Sequence, residues 1–151
     1  MAGDAMQKDS QEGLAALEAR VRQDLEDLCI PAPNWVPETY RNGEKIFDVV
    51  IIGGGMCGQL LHHAMTSGGI RNIAIFDKNP DGLEGPWMTY ARMETLRSPK
   101  HLTGPAFGRA SLTFRAWFRA RFGEGEWEKL DKIPRPMWMD YLRWYRDVLG
   151  I

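Results

Sequence analysis

The sequence predicts an α/β protein built on a parallel sheet, and three observations carry that class. Val49-Val50-Ile51-Ile52 is a continuous apolar run with no polar alternation, the pattern of a parallel strand covered on both faces. Gly53-Gly54-Gly55-Met56-Cys57-Gly58 follows it at once and spells G-x-G-x-x-G. Ile73-Ala74-Ile75-Phe76 is a second apolar strand, and Asp77 closes it. Strand, glycine turn, helix and strand in that order form a Rossmann-like unit of a three-layer α/β fold.

The remaining elements follow in chain order. Met1 to Asp9 reads as an unstructured start. From Ser10, the residues Leu14, Leu17, Val21, Leu25 and Leu28 recur every three or four positions, which predicts an amphipathic helix of about 18 residues. It suits a helix lying across the domain surface, with a dimer contact as the other use. Pro31, Pro33 and Pro37 end it and impose an extended linker with Trp35 as an anchor. Arg41-Asn42-Gly43-Glu44 then turns the chain into the central strand. Residues 1–45 are thus an amphipathic helix and Pro-rich linker, and residues 46–151 the nucleotide-binding part, helical and rich in Arg and Trp from about residue 92.

After the glycine turn, Cys57, Leu60, Leu61, Ala64 and Met65 mark the apolar face of a short helix that Ser67-Gly68-Gly69 ends. Lys78-Asn79-Pro80-Asp81-Gly82 is a turn, and no β-branched run follows it. A helix is predicted over Ala110 to Phe122 with Gly123 at its end, a helical turn over Trp127 to Leu130, and a last helix over Met137 to Leu149 after the break at Pro134-Arg135-Pro136. Gly150 is placed to cap it. Two parallel strands do not make an independently stable sheet. Ile151 stands where a third strand would begin, so the expectation is an incomplete fold with a helical extension at each end, the N-terminal part of something longer.

The glycine turn has a chemical reading. Gly53 allows the tight turn, Gly55 lets the backbone approach a pyrophosphate, and Gly58 lets the helix pack on the strand. The first turn of that helix, Met56 and Cys57 included, offers unpaired amides and a partial positive charge to phosphates. Asp77 lies 24 residues after Gly53, near the spacing of an acid that binds a ribose hydroxyl. A carboxylate there repels a 2′-phosphate, so FAD or NAD is expected rather than NADP.

Composition narrows the classes. The chain has 151 residues, and a content that is 44% hydrophobic and 26% charged is that of a globular domain and excludes disorder of the whole chain. No apolar stretch approaches the ~20 residues a membrane span needs, and the acidic start is unlike a signal peptide, so a cytoplasmic protein with no membrane partner is expected. Met1 to Asp48 carries ten acids against five bases, whereas Arg92 to Arg146 carries twelve bases against six acids. That basic stretch suits anionic ligands or an acidic surface. Its interleaved Phe114, Trp117, Phe118, Phe122, Trp127, Trp138 and Trp144 fit a core better than a base-stacking platform, and no nucleic-acid motif is present. His62 and His63, adjacent on a helix, point in different directions and do not share a metal; no metal site is expected. Two cysteines make no disulfide framework. Cys57 is either a small residue in a tight turn or a thiol activated by the helix terminus.

The run Gly53 to Gly58, Asp77, Gly85-Pro86-Trp87, Leu96-Arg97-Ser98-Pro99-Lys100, and Pro134-Arg135-Pro136 through Asp140-Tyr141-Leu142-Arg143-Trp144 resembles the N-terminal region of class B flavoprotein monooxygenases. The branch it looks most like holds the flavin-containing and N-hydroxylating enzymes. The resemblance spans about residues 46 to 150. It implies two Rossmann-like domains, FAD in the first and NADPH in the second, whose site lies outside this chain. It also implies a C4a-hydroperoxyflavin, formed with O₂, that oxygenates a small organic substrate. Gly53, Gly55 and Gly58 with the amides of Met56 and Cys57 would cradle the FAD pyrophosphate; Asp77 would hold the ribose with Lys78 beside it; Gly85 and Trp87 would run along the flavin. Many relatives have Gly-Gly before the Trp-bearing position, where this chain has Glu84-Gly85. Arg97 and Lys100 fall in a segment near flavin and substrate, and His101 is either close to the flavin or a solvated loop residue. No catalytic residue is assigned. Two other readings stay open, an NAD-linked dehydrogenase and a non-catalytic interaction module. A dehydrogenase would continue into another strand and helix after Asp77.

Overall fold

The computed structural model describes residues 2–151, with side chains from residue 10. Helix α1 is Ala2–Asp27, so it takes in residues read above as an unstructured start; residue 1 lies outside those described. Its Leu17 and Val21 are buried, with Leu14 and Leu25 packed beside them, the three-to-four spacing that gives a helix one apolar stripe. That stripe lies on α3 (Phe114–Phe122). The Pro-rich linker docks on the end of α2 (Met56–Ser67). There the Trp35 indole donates to the Gly68 carbonyl at 2.8 Å, and the Arg71 guanidinium donates to the carbonyls of Pro31 and Ala32. Strands β1 (Tyr40–Arg41) and β2 (Glu44–Lys45) close a small antiparallel hairpin around Asn42-Gly43.

Strands β3 (Val49–Ile52) and β4 (Ile73–Phe76) pair in parallel, with Val49 opposite Ile73 and Ile52 opposite Phe76. The crossover through α2 is the predicted unit. The expectation that β3 is covered on both faces is corrected: Ile51 is 6% exposed, but Val50 is 51% and Ile52 81% exposed. Among the described residues this sheet has two strands, and the face carrying Val50 and Ile52 is left open.

The buried face of α2 also differs from the predicted one. Gly58, Gln59 and His63 are buried, whereas Cys57 and Leu61 are exposed. Partners outside the helix decide this. The Gln59 amide donates to the Gly54 carbonyl at 3.1 Å, and the His63 ring sits edge-on between Phe107 and Tyr145.

Most of the core lies in the C-terminal helices rather than against the sheet. A 3₁₀ turn over Ala110–Leu112 precedes α3, whose Thr113 hydroxyl caps it by accepting from the Ala116 amide at 3.2 Å. Helix α4 (Glu124–Lys129) and helix α5 (Arg135–Leu149) complete the bundle. Pro134 is the N-cap of α5 and Gly150 its left-handed C-cap. Phe114, Trp117, Phe118, Trp127, Trp138, Tyr141, Leu142 and Tyr145 interlock with Leu17 and Val21 of α1. The two buried phenols donate to carbonyls, Tyr141 to Leu112 and Tyr145 to Pro105, each at 2.7 Å. The aromatics of the basic stretch are therefore core residues, Phe122 at the end of α3 remaining partly exposed. Among the described residues no helix is long and apolar enough to cross a membrane.

Candidate functional site

The site forms where β3 hands the chain to α2. Gly53 takes φ +106°, a region that disfavours any side chain, and its amide donates to the Phe76 carbonyl at 2.7 Å. At Gly58 a Cβ would lie 1.9 Å from the Gly53 carbonyl oxygen, so only glycine lets α2 start this close to the turn. Gly55 is the N-cap and supplies no side-chain acceptor, and the first turn of α2 carries no acid. The terminus therefore keeps its free amides and its positive end.

Asp77 ties the turn down. Its Oδ2 accepts from the Gly54 amide and its Oδ1 from the Asn79 amide, both at 2.8 Å. These amides, Asn79 first and then Gly54, hold its carboxyl below the usual range. A carboxylate offers about four lone-pair sites, so Asp77 can still meet a further donor.

The segment bearing Gly85 and Trp87 lies over the turn. A Cβ on Gly55 would meet Gly85 Cα at 3.2 Å. A cavity of about 420 Å³ opens here, lined by Gly53, Gly55, Met56, Cys57, Gly58 and Trp87 among others. A neighbouring apolar cavity of about 470 Å³ shares Met56, Cys57 and Trp87 and adds Leu60, Leu96, Arg97 and Trp138. The Trp87 indole nitrogen is buried with no acceptor among the described residues.

The structure thus gathers Gly53, Gly55, Met56, Cys57, Gly58 and Trp87 on one cavity, with Gly85 and Asp77 supporting it. Lys78 is not with them; it is exposed, its Nζ 5.9 Å from the Tyr90 ring centroid. Lys100 is committed elsewhere, donating to the Trp127 carbonyl at 2.8 Å and lying over that indole. His101 packs edge-on to Trp127 and lines a third, polar cavity of about 530 Å³, away from Trp87. Not foreseen was the hold of α5 on the overlying segment through Arg135, Arg143 and Arg146. Three arginines sharing one helix face were the available signal.

Behind α2, His63 is 3% exposed and its imidazole is pushed down from 6.5 to about 4, by burial first and then by the Arg109 guanidinium and His62. A base whose folded value is depressed is neutral when folded while the unfolded chain takes up a proton. Stability is then full above about pH 6.5 and falls as pH drops toward about 4. Thermal midpoints across that window should show this slope, and His63→Gln should flatten it; an unchanged slope would assign the acid sensitivity to other groups. Asp77, whose carboxyl is held below 3.8, adds its loss only at lower pH.

A family model described as FAD-NAD(P)-binding matches residues 50–150. A protein named FAD-dependent urate hydroxylase from Xanthomonas campestris pv. campestris is 46% identical over 138 residues, 91% of this chain and 29% of that protein. The chain therefore spans less than a third of the length of that relative. No solved structure matches the chain.

Proposed function

Because the chain belongs to the FAD-NAD(P)-binding family, we propose that it is the part of an FAD-dependent hydroxylating monooxygenase that anchors the ADP half of the flavin. One observation carries the reading: an uncapped, acid-free helix terminus faces a cavity across a turn in which a Cβ at Gly58 would clash with backbone. Phosphate is the ligand that such a terminus accepts. The amides at the start of α2, those of Met56 and Cys57 among them, bind the pyrophosphate. Asp77 orients the ribose through its remaining lone pairs and disfavours a 2′-phosphate, which argues for FAD over NADP at this site. Trp87 walls the cavity, and its buried N–H awaits an acceptor. Met56, Leu60, Leu96 and Trp138 keep the adjoining cavity dry.

FAD, when bound, supplies the redox chemistry: it accepts reducing equivalents from a nicotinamide and activates O₂. The residues here bind, orient and exclude water. The relative's printed activity makes urate the first substrate to assay, alongside NADPH and NADH as reductants.

The test is a titration of the purified chain with FAD, followed by flavin fluorescence and by the two visible flavin absorption bands of the desalted protein. Saturable uptake of FAD, with AMP and ADP competing and NADP weaker, is expected. Uptake of NAD in preference to FAD would overturn the reading in favour of a dehydrogenase, and no uptake of either would favour a non-catalytic module.

A further inference from the structure

We propose that Arg146 and Arg143, helped by Arg135, are positioning residues for the dinucleotide site: from α5 they clamp the 81–87 segment onto the glycine turn. The proposal rests on the FAD reading for its consequence and on the geometry of the chain for the clamp itself.

The clamp has three points on one helix. Arg146 Nη1 donates to Glu84 Oε1 at 2.8 Å and to Asp81 Oδ1 at 2.6 Å. Arg143 donates twice to the Gly82 carbonyl, from Nε at 2.9 Å and from Nη2 at 2.7 Å. Arg135 donates to the Trp87 carbonyl. Within the segment the Gly82 amide donates to Glu84 Oε1 at 3.0 Å, which folds the backbone around that carboxylate. The other side of α5 is fixed in the core by Trp138, Tyr141, Leu142 and Tyr145, so the arginines reach out from a rigid support.

The far side of the segment is the site. Glu84 Cγ lies 3.2 Å from where a Gly54 Cβ would stand, and Gly85 Cα is as close to that of Gly55. Pro86 and Trp87 wall the cavity over the turn. The Glu84 side chain is 9% exposed and that of Arg146 18%. Charges this far out of water are tolerated as a pair and are costly singly, so removing the guanidinium expels Glu84, and the segment lifts from the turn with it. An FAD site whose wall is docked only part of the time has an affinity reduced by that fraction.

The experiment pairs amide exchange of the ligand-free chain with FAD affinity in Arg146→Gln, Arg146→Lys and the control Arg119→Gln. Arg119 is an α3 surface residue paired with Glu124. Arg146 reaches both carboxylates through Nη1, and a lysine ammonium, one bond shorter, keeps the charge and the capacity to donate to both. Arg146→Gln should exchange about tenfold faster across residues 81–87, with α3 unchanged, and bind FAD about tenfold more weakly; Arg146→Lys and Arg119→Gln should stay near wild type. Unchanged exchange, or faster exchange with wild-type FAD affinity, overturns the positioning role. A wild-type chain that binds no FAD overturns the functional reading and the positioning role together, while the exchange data still decide the clamp.

Discussion

Gly58→Ala should cost the chain about 100-fold in FAD affinity and a measurable part of its stability. The added Cβ would lie 1.9 Å from the Gly53 carbonyl oxygen, 3.0 Å from its carbon and 3.4 Å from Ile51 Cγ2. The first two are backbone atoms, and a methyl group has no alternative rotamer. Either α2 retreats from β3 or the turn deforms. Overpacking of this kind costs about 1–3 kcal/mol. The binding loss comes from the same misfit because the amides of Met56 and Cys57 ride on that helix end: about 2.7 kcal/mol lost there is ~100-fold in affinity. Gly125 is the control: it lies in α4 with open space around its Cβ position. Gly125→Ala should leave FAD binding intact and raise the thermal midpoint, since alanine is favoured over glycine in a helix by about 0.5–1 kcal/mol. The measurement is a flavin fluorescence titration with a melt of each variant. Wild-type affinity in Gly58→Ala would remove the glycine turn from the site.

What could be read from the sequence and what could not divide along the range of the forces involved. The strand Val49–Ile52, the glycine turn after it and the strand Ile73–Phe76 with Asp77 at its end follow from residues adjacent in the chain, and they stand where the sequence puts them; the bond from the Gly54 amide to Asp77, 23 residues on, is not legible in it. The buried side of α2 is not local. Periodicity counts apolar residues, whereas Gln59 is buried with its amide on the Gly54 carbonyl of the turn before its own helix, and His63 is buried because Phe107 and Tyr145 reach it from other parts of the chain. The exposure of Val50 and Ile52 has the same origin: an apolar run records what a strand is suited to meet, not what meets it. Lys78 shows the limit of sequence adjacency, being next to Asp77 yet turned toward Tyr90. Lys100 and the exposed loop residue His101 both meet Trp127, contacts that sequence adjacency does not foretell. Glu84 stood out only as a departure from Gly-Gly; its partner Arg146 is 62 residues away, and no local rule links them.

Phe114→Ala should be the most destabilising single change in the chain, at about 3–5 kcal/mol, the range for emptying a buried phenylalanine site. Its ring is fully buried and meets Trp117, Trp138 and Tyr141 at 5.5–5.6 Å between centroids, with Phe118 and Trp127 slightly farther. Those neighbours belong to α3, α4 and α5, so the ring joins three helices. A domain is stable by about 5–15 kcal/mol in all, and the thermal midpoint should therefore drop by about 10 °C. Phe122→Ala, at the partly exposed end of α3, should shift it far less. Because α5 also holds the segment over the glycine turn, the core variant distinguishes two couplings. If the folded fraction of Phe114→Ala keeps its site, FAD at 100 times Kd stabilises it by the same ~2.7 kcal/mol as wild type. A smaller gain at the same free FAD concentration would mean that loosening the aromatic core loosens α5, and that the site inherits its order from the core rather than from the glycine turn alone.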